Sequence, residues 1–206
     1  MIVLASASPR RRDLLREAGL DFQVDPADVD ESLEAGLDPV TAAVVLAERK
    51  ARAVLTRHGG AGALLIGADT IVALPQEGEA WSLLGKPADA PEAHAMLSSL
   101  GGSRHAVVTG VAVARAEDGS VTSHAETTWV TMRPILPKEI EGYVASGEWR
   151  DKAGGYAIQE TADRFVTSLE GGGFDNVVGL PVRRTLELLA ASGSSQAARL
   201  LAAGGG

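Results

Sequence analysis

Two alternating runs, His105 to Ala116 and Ser120 to Met132, flank the tripeptide Glu117-Asp118-Gly119. Period-two alternation turns one side of each run toward a core, and the Asp-Gly turn returns the chain on itself. A long antiparallel hairpin is therefore predicted, which commits the chain to a sheet with antiparallel pairing. Helical spacing occurs before and after it. Ser8 is a good N-cap and Pro9 a favoured first helical residue; Leu14, Leu15 and Ala18 then mark one face before Gly19. Asp38-Pro39 opens a stronger helix with Val40, Ala43, Val44, Ala47, Ala51, Val54 and Leu55 on its apolar positions, stopped by Gly59-Gly60. Further helices are predicted from about Pro91 to Leu100, from Pro137 to Ser146 and from Pro181 to Ala191.

Short strands are predicted at Ile2–Ala5, Phe22–Val24 and Phe165–Leu169. Another, Ala63–Ala68, ends at Asp69-Thr70, and Ile71–Leu84 reads as a hairpin turning near Glu77-Gly78-Glu79. The mixture specifies an α/β chain with a mixed sheet. At 206 residues and 45% hydrophobic content it can build one domain, or one domain with a lobe. The Ala-, Gly- and Ser-rich segment 192–206 reads as a peripheral tail, with a helix at Gln196–Ala203.

Charge and composition narrow the function classes. The net charge of −8 weighs against a binder of nucleic-acid polymers, which draws on excess Lys and Arg. Cysteine is absent, which removes disulfides, thiolate metal sites and a cysteine nucleophile, and suits a reducing compartment. The apolar start Met1–Ala5 is interrupted at once by Ser6–Arg12, so it is neither a signal peptide nor a span. No apolar run reaches the roughly 18 residues that cross a bilayer. A cytoplasmic chain with no membrane partner is expected.

Arg10, Arg11 and Arg12 occupy the first turn of a helix, where the dipole is positive and cations are disfavoured. A bound phosphate reverses that sign, because it meets the free N–H groups and the guanidinium forks together. Solvated arginines paired with Asp13 or Glu17 are the other reading. Asp69 follows an apolar strand, at the end where α/β sheets place catalytic groups; a turn-forming aspartate would look the same. In the acidic loop, Glu31 is the leading partner of Asp69 for a hard cation such as Mg²⁺, and a solvated loop is the alternative. The four histidines show no metal spacing, and no Gly-x-Ser-x-Gly elbow appears. Gly85-Lys86-Pro87 lacks the glycine spacing of a P-loop. Residues 148–156, dense in charge and glycine, form either a substrate-facing loop or a polar connection.

Taken in order, several segments resemble the Maf family of nucleoside triphosphate pyrophosphatases. They are Ala5-Ser6-Ala7-Ser8-Pro9-Arg10-Arg11, Leu46-Ala47-Glu48-Arg49-Lys50-Ala51, Gly67-Ala68-Asp69-Thr70, Gly85-Lys86-Pro87, Asp151 to Gln159 and Asn176 to Pro181. The resemblance implies an ITPase/Maf-like fold, an elongated mixed β-sheet flanked by helices, in a single domain over 1–206 with the active-site cleft between two lobes. It also implies a homodimer and a divalent cation, Mg²⁺ or Mn²⁺. Asp69 would be catalytic, and would hold the metal with Glu31. Ser8, Arg10, Arg11, Lys50, Thr70, Lys86 and Gln159 would bind substrate. Arg10, Thr70 and Gln159 look like the branch acting on dTTP and UTP. The 7-methyl-GTP branch carries an aromatic residue after the proline, Gln after the aspartate and an acidic residue in place of Gln159. Glu160 departs from the glycine frequent in the family. The implied reaction is attack by water on the α-phosphorus with release of pyrophosphate. A non-catalytic nucleotide-binding regulator of cell division and a terminal-phosphate phosphatase are the rival functions.

Overall fold

The computed structural model describes residues 1–58 and 62–204. The predicted hairpin is its centre: strand β5 (Arg104–Arg115) pairs with β6 (Val121–Met132) from Arg104 opposite Thr131 to Ala114 opposite Val121. The other edge of β5 takes β3 (Leu64–Pro75), antiparallel along nearly its whole length. Strand β7 (Val166–Gly171) adds to β6. The far edge of β3 is shared by two strands. Strand β1 (Ile2–Leu4) runs parallel to its first residues, ending with Leu4 opposite Ile66, and β2 (Gln23–Val24) lies outside β1. Strand β4 (Trp81–Leu84) runs antiparallel to its last residues, beginning with Leu84 opposite Val72. The result is a seven-stranded mixed sheet flanked by helices. On the shared edge, no strand among the described residues lies beside residues 67–71.

One face of the sheet is covered by helix α2 (Pro39–Leu55). Its N-cap Asp38 accepts hydrogen bonds from the backbone N–H groups of Val40 and Thr41. Ala42, Ala43, Leu46, Ala47 and Ala51 are buried along it, against Leu65, Ile71 and Ala73 of β3. Small residues alone would not permit the approach. A Cβ at Gly67 would overlap the carbonyl oxygen of Ala47 and stand 2.5 Å from the nitrogen of Ala51. One at Gly110 would overlap the carbonyl group of Ala43 and stand 2.7 Å from the nitrogen of Val44. Two bare positions on neighbouring strands therefore let the helix backbone rest on the sheet.

The opposite face carries two separate cores. Leu15 of α1 (Pro9–Glu17) packs with Ile66, Ala68 and with Leu186 and Leu189 of α6 (Val182–Ala191). Val72, Leu74, Val107 and Val130 pack with Leu97 and Leu100 of α3 (Ala90–Leu100) and with Ile140 and Tyr143 of α4 (Pro137–Ser146). The division falls between Ala68 and Val72, level with the unpartnered stretch of the β3 edge. A cleft that opens there reaches both faces of the sheet.

The structure differs from the sequence reading in several places. Asp69 is not at the carboxyl end of a strand: β3 runs through it, with Asp69 opposite Gly110 and Thr70 opposite Thr109. What ends near Asp69 is the parallel neighbour β1. Helix α2 stops at Leu55, while Gly59-Gly60 lie outside the described residues. Phe165 belongs to a 3-10 turn before β7 and is fully buried. The short helix α5 (Phe174–Val178) has no counterpart in the sequence reading, being too short for periodicity to show. The helix expected at Gln196–Ala203 is present as α7 (Ser195–Ala203), but it is not merely peripheral: it buries Ala197 and packs Leu200 and Leu201 on the α1–α6 core. No helix among the described residues is long and apolar enough to cross a membrane.

Gly67→Ala and Gly110→Ala should each destabilise the fold by about 3 kcal/mol, because helix backbone rather than a movable side chain fills the space. Urea unfolding measures this; a loss under about 0.5 kcal/mol would show that α2 can lift without cost.

Candidate active site

At the first turn of α1, Ser8 caps the helix by accepting a long hydrogen bond, 3.5 Å, from Arg11 N–H. No acidic residue occupies that turn. Asp13 pairs with Arg16 at 3.5 Å rather than with one of the three arginines. Arg10 faces a cavity of about 410 Å³. Arg11 also lines it, but is gripped by protein: Nε donates to Gly179 O at 2.7 Å, Nη1 to Ser6 Oγ at 3.2 Å and Nη2 to Thr70 Oγ1 at 3.1 Å. Desolvation lowers the Arg11 pKa, and the negative charge of Asp69 offsets this only in part. The guanidinium is short of counter-charge, which an anion in the cavity would supply.

Across the cavity, Lys50 of α2 stands between two carboxylates. Its Nζ is 2.5 Å from Asp69 Oδ1 and 2.7 Å from Glu31 Oε1. Lys50 and Asp69 are both buried. Glu31 comes from the acidic loop, which the preceding residue of the same helix holds in place. Arg49 Nη1 donates to the carbonyls on either side of Glu31, Asp30 O at 3.1 Å and Ser32 O at 2.6 Å. Burial pushes the Glu31 pKa up, yet the hydrogen bond and charge of Lys50, with Lys86 and Arg11, bring it below the ordinary value. Glu31 is therefore ionised at neutral pH.

No group of three His, Cys, Asp or Glu side chains suited to a metal ion occurs among the described residues. Two converging carboxylates nevertheless match the one or two that Mg²⁺ takes from protein when phosphate oxygens and water complete its shell. The residues fit a cation that arrives with a phosphorylated ligand.

Ser8, Arg10, Arg11, Glu31, Lys50, Asp69, Thr70 and Lys86 all line the cavity. Gln159 does not; it is exposed on a turn two residues beyond Ala157, which does. Sequence reasoning does not single out Ser6, Tyr156 or Gly179 as part of the wall. The signals for them are faint: a second serine in Ala5-Ser6-Ala7-Ser8, and isolated aromatic and glycine positions in the later segments. Lys152 is buried on the same wall, donates to Glu148 O and pairs with Glu160 at 3.3 Å. The 148–156 segment thus faces the cavity. Asp151, also on the wall, holds φ +61°, a left-handed conformation uncommon outside glycine. Tyr156 is anchored from behind by His105, whose Nε2 lies 2.9 Å from the phenol oxygen. Burial pulls His105 down to about 4 and pushes the phenol of Tyr156 up, so the pair is neutral at pH 7.

Residues 1–192 match the family model described as Maf-like protein. The chain is 49% identical over 194 residues to the dTTP/UTP pyrophosphatase of Moorella thermoacetica, covering 93% of this chain and 95% of that protein. It is 47% identical over 188 residues to the dTTP/UTP pyrophosphatase of Pelotomaculum thermopropionicum, covering 91% and 94%. With the dTTP/UTP pyrophosphatase of Symbiobacterium thermophilum the identity is 44% over 188 residues, covering 91% and 92%.

Lys50→Met should cost about 3 kcal/mol at pH 7, since it strands two carboxylates without their cation. Adding Asp69→Asn to Lys50→Met should recover part of that loss; urea unfolding in which the two losses simply add would contradict the pairing. His105 gives a pH signature. Its folded pKa is lowered from 6.5 to about 4, so the unfolded chain takes up the proton first as pH falls. Stability from this group is full above pH 6.5 and declines toward pH 4, by about 3 kcal/mol in total. In His105→Gln the difference in unfolding free energy between pH 7 and pH 4 should shrink by that amount; an unchanged difference would exclude His105 as its source.

Proposed function

We propose that the chain, which belongs to the Maf family, is a nucleoside triphosphate pyrophosphatase that hydrolyses dTTP and UTP to the monophosphate and pyrophosphate. The observation that carries this reading is the pairing in one cavity of a buried carboxylate–lysine couple with a cationic helix start. It is supported by relatives named for that activity at 44–49% identity over nine-tenths of the chain.

Water attacks the α-phosphorus, and the bond to the bridging oxygen of pyrophosphate breaks. Asp69 orients this water and accepts its proton. The departing pyrophosphate gains charge, which Arg10, Arg11, Lys50 and Lys86 offset from two sides of the cavity, with Ser8 and the backbone N–H of Arg10 at the start of α1. Glu31 and Asp69 would hold a divalent cation, Mg²⁺ or Mn²⁺, together with phosphate oxygens, and the cation would supply further charge neutralisation there. Phosphoryl transfer of this kind relies on positioning and electrostatics rather than on a covalent nucleophile. Gln159, on the turn just beyond the cavity wall, both accepts and donates hydrogen bonds, as the thymine and uracil edge requires. The reading includes a homodimer in the cytoplasm, carried by the family resemblance.

Incubation with dTTP and Mg²⁺ or Mn²⁺ should yield dTMP and pyrophosphate. Orthophosphate with dTDP would make the protein a phosphatase, and saturable binding without product a nucleotide-binding regulator. Asp69→Asn should keep its circular dichroism spectrum and lose about 10²- to 10⁴-fold in kcat; a fully active variant would remove Asp69 from the mechanism.

A further inference from the structure

Gln159 lies at the tip of a turn whose two flanks are anchored in the protein interior. Tyr156, Ala157 and Ile158 are buried before it, and Ala162 and Phe165 are fully buried after it. Between these anchors Gln159, Glu160 and Thr161 are exposed. Backbone bonds curl the tip, from Glu160 N–H to Ala157 O and from Asp163 N–H to Glu160 O, both at 3.2 Å. They join the tip only to its own flanks.

Side chains supply a connection to the neighbouring segment. The carboxylate of Glu160 pairs with Lys152 at 3.3 Å. Thr161 gives both its backbone N–H, at 3.2 Å, and its hydroxyl to the carboxylate of Glu148. Lys152 and Glu148 are themselves joined, since the ammonium of Lys152 donates to Glu148 O. The platform they form is firm: Lys152 and Trp149 are buried, and the Trp149 indole donates to Val144 O at 3.0 Å. Two consecutive residues of the tip thus grip the 148–152 segment, which lines the cavity at Asp151 and Lys152.

We propose that Glu160 and Thr161 are positioning residues for nucleotide selection: they fasten the tip to the 148–152 segment and so hold Gln159 in one pose beside the cavity. The need for fastening follows from the amide. Its carbonyl and NH₂ match the N3–H and a carbonyl of thymine or uracil. Turned over, the same amide matches cytosine, whose N3 accepts and whose amino group donates. Gln159 therefore selects between them only while it is held. This rests on Gln159 as the base contact in the proposed reaction.

The test is titration calorimetry with dTMP, dCMP and pyrophosphate, which needs no turnover. Wild type should bind dTMP more tightly than dCMP. Glu160→Ala and Thr161→Val should each lower that preference about threefold to fivefold, with pyrophosphate binding within about twofold of wild type. Thr161→Val leaves Lys152 its partner, and covers a Glu160→Ala protein that fails to fold. In a Gln159→Ala background neither substitution should change the ratio further. An unchanged preference in both variants, or a further change in the Gln159→Ala background, would overturn the inference. So would tighter pyrophosphate binding in Glu160→Ala with the preference intact, which would make Glu160 a restraint on the charge of Lys152 instead. A wild type with no preference for dTMP would overturn it as well. A wild type that prefers dTMP yet hydrolyses no α-phosphate bond overturns the proposed reaction alone, and the variants still decide the inference.

Discussion

The ammonium of Lys50 reaches two carboxylates because α2 lies closer to the sheet than side chains would ordinarily permit. Gly67 and Gly110 admit the backbone at Ala43, Ala47 and Ala51, one residue from Lys50 itself. The same helix presents Arg49 to the carbonyls that bracket Glu31. A single close packing thus sets the distance from Lys50 to Asp69 and brings Glu31 to meet both. Burying such charges is costly, and a tightly bonded pair repays little more than its own desolvation. The arrangement makes better sense as a prepared electrostatic field than as a contribution to stability.

The sheet itself supplies the second constraint. With β1 ending opposite Ile66 and β4 beginning opposite Val72, the edge of β3 between them is open to the cleft. Successive strand residues point to opposite faces. Asp69 therefore meets Lys50 on the α2 side, while Thr70 meets Arg11 and Thr109 on the other. Adjacent residues of one strand serve two networks of different character. One is a balance of charges that responds to an arriving cation; the other bonds neutral hydroxyls to a guanidinium.

Much of this was legible in the sequence. The hairpin at β5–β6, the Ser8-Pro9 helix start and the Asp38-Pro39 helix follow from alternation and capping chemistry and stand where they were predicted. Asp69 reads as a strand end because Gly67-Ala68-Asp69-Thr70 resembles a turn. The residues that keep it extended, Gly110 and Thr109, lie on another strand about forty positions later. The three arginines look alike as a run, yet Arg11 is tied to Gly179, Ser6 and Thr70 while Arg10 faces the cavity. Such division depends on partners distant in sequence, which no local pattern records. The wall residue Tyr156 and its anchor His105 are hidden for the same reason.

If the charges are arranged around a departing pyrophosphate, the attacked atom is the α-phosphorus, and the oxygen from water must end on the monophosphate. Hydrolysis of dTTP in ¹⁸O-labelled water, with both products examined by mass spectrometry, reads this directly. One labelled oxygen is expected in dTMP and none in pyrophosphate. Label in pyrophosphate would place the attack on the β-phosphorus and contradict the roles of Asp69 and the facing cations.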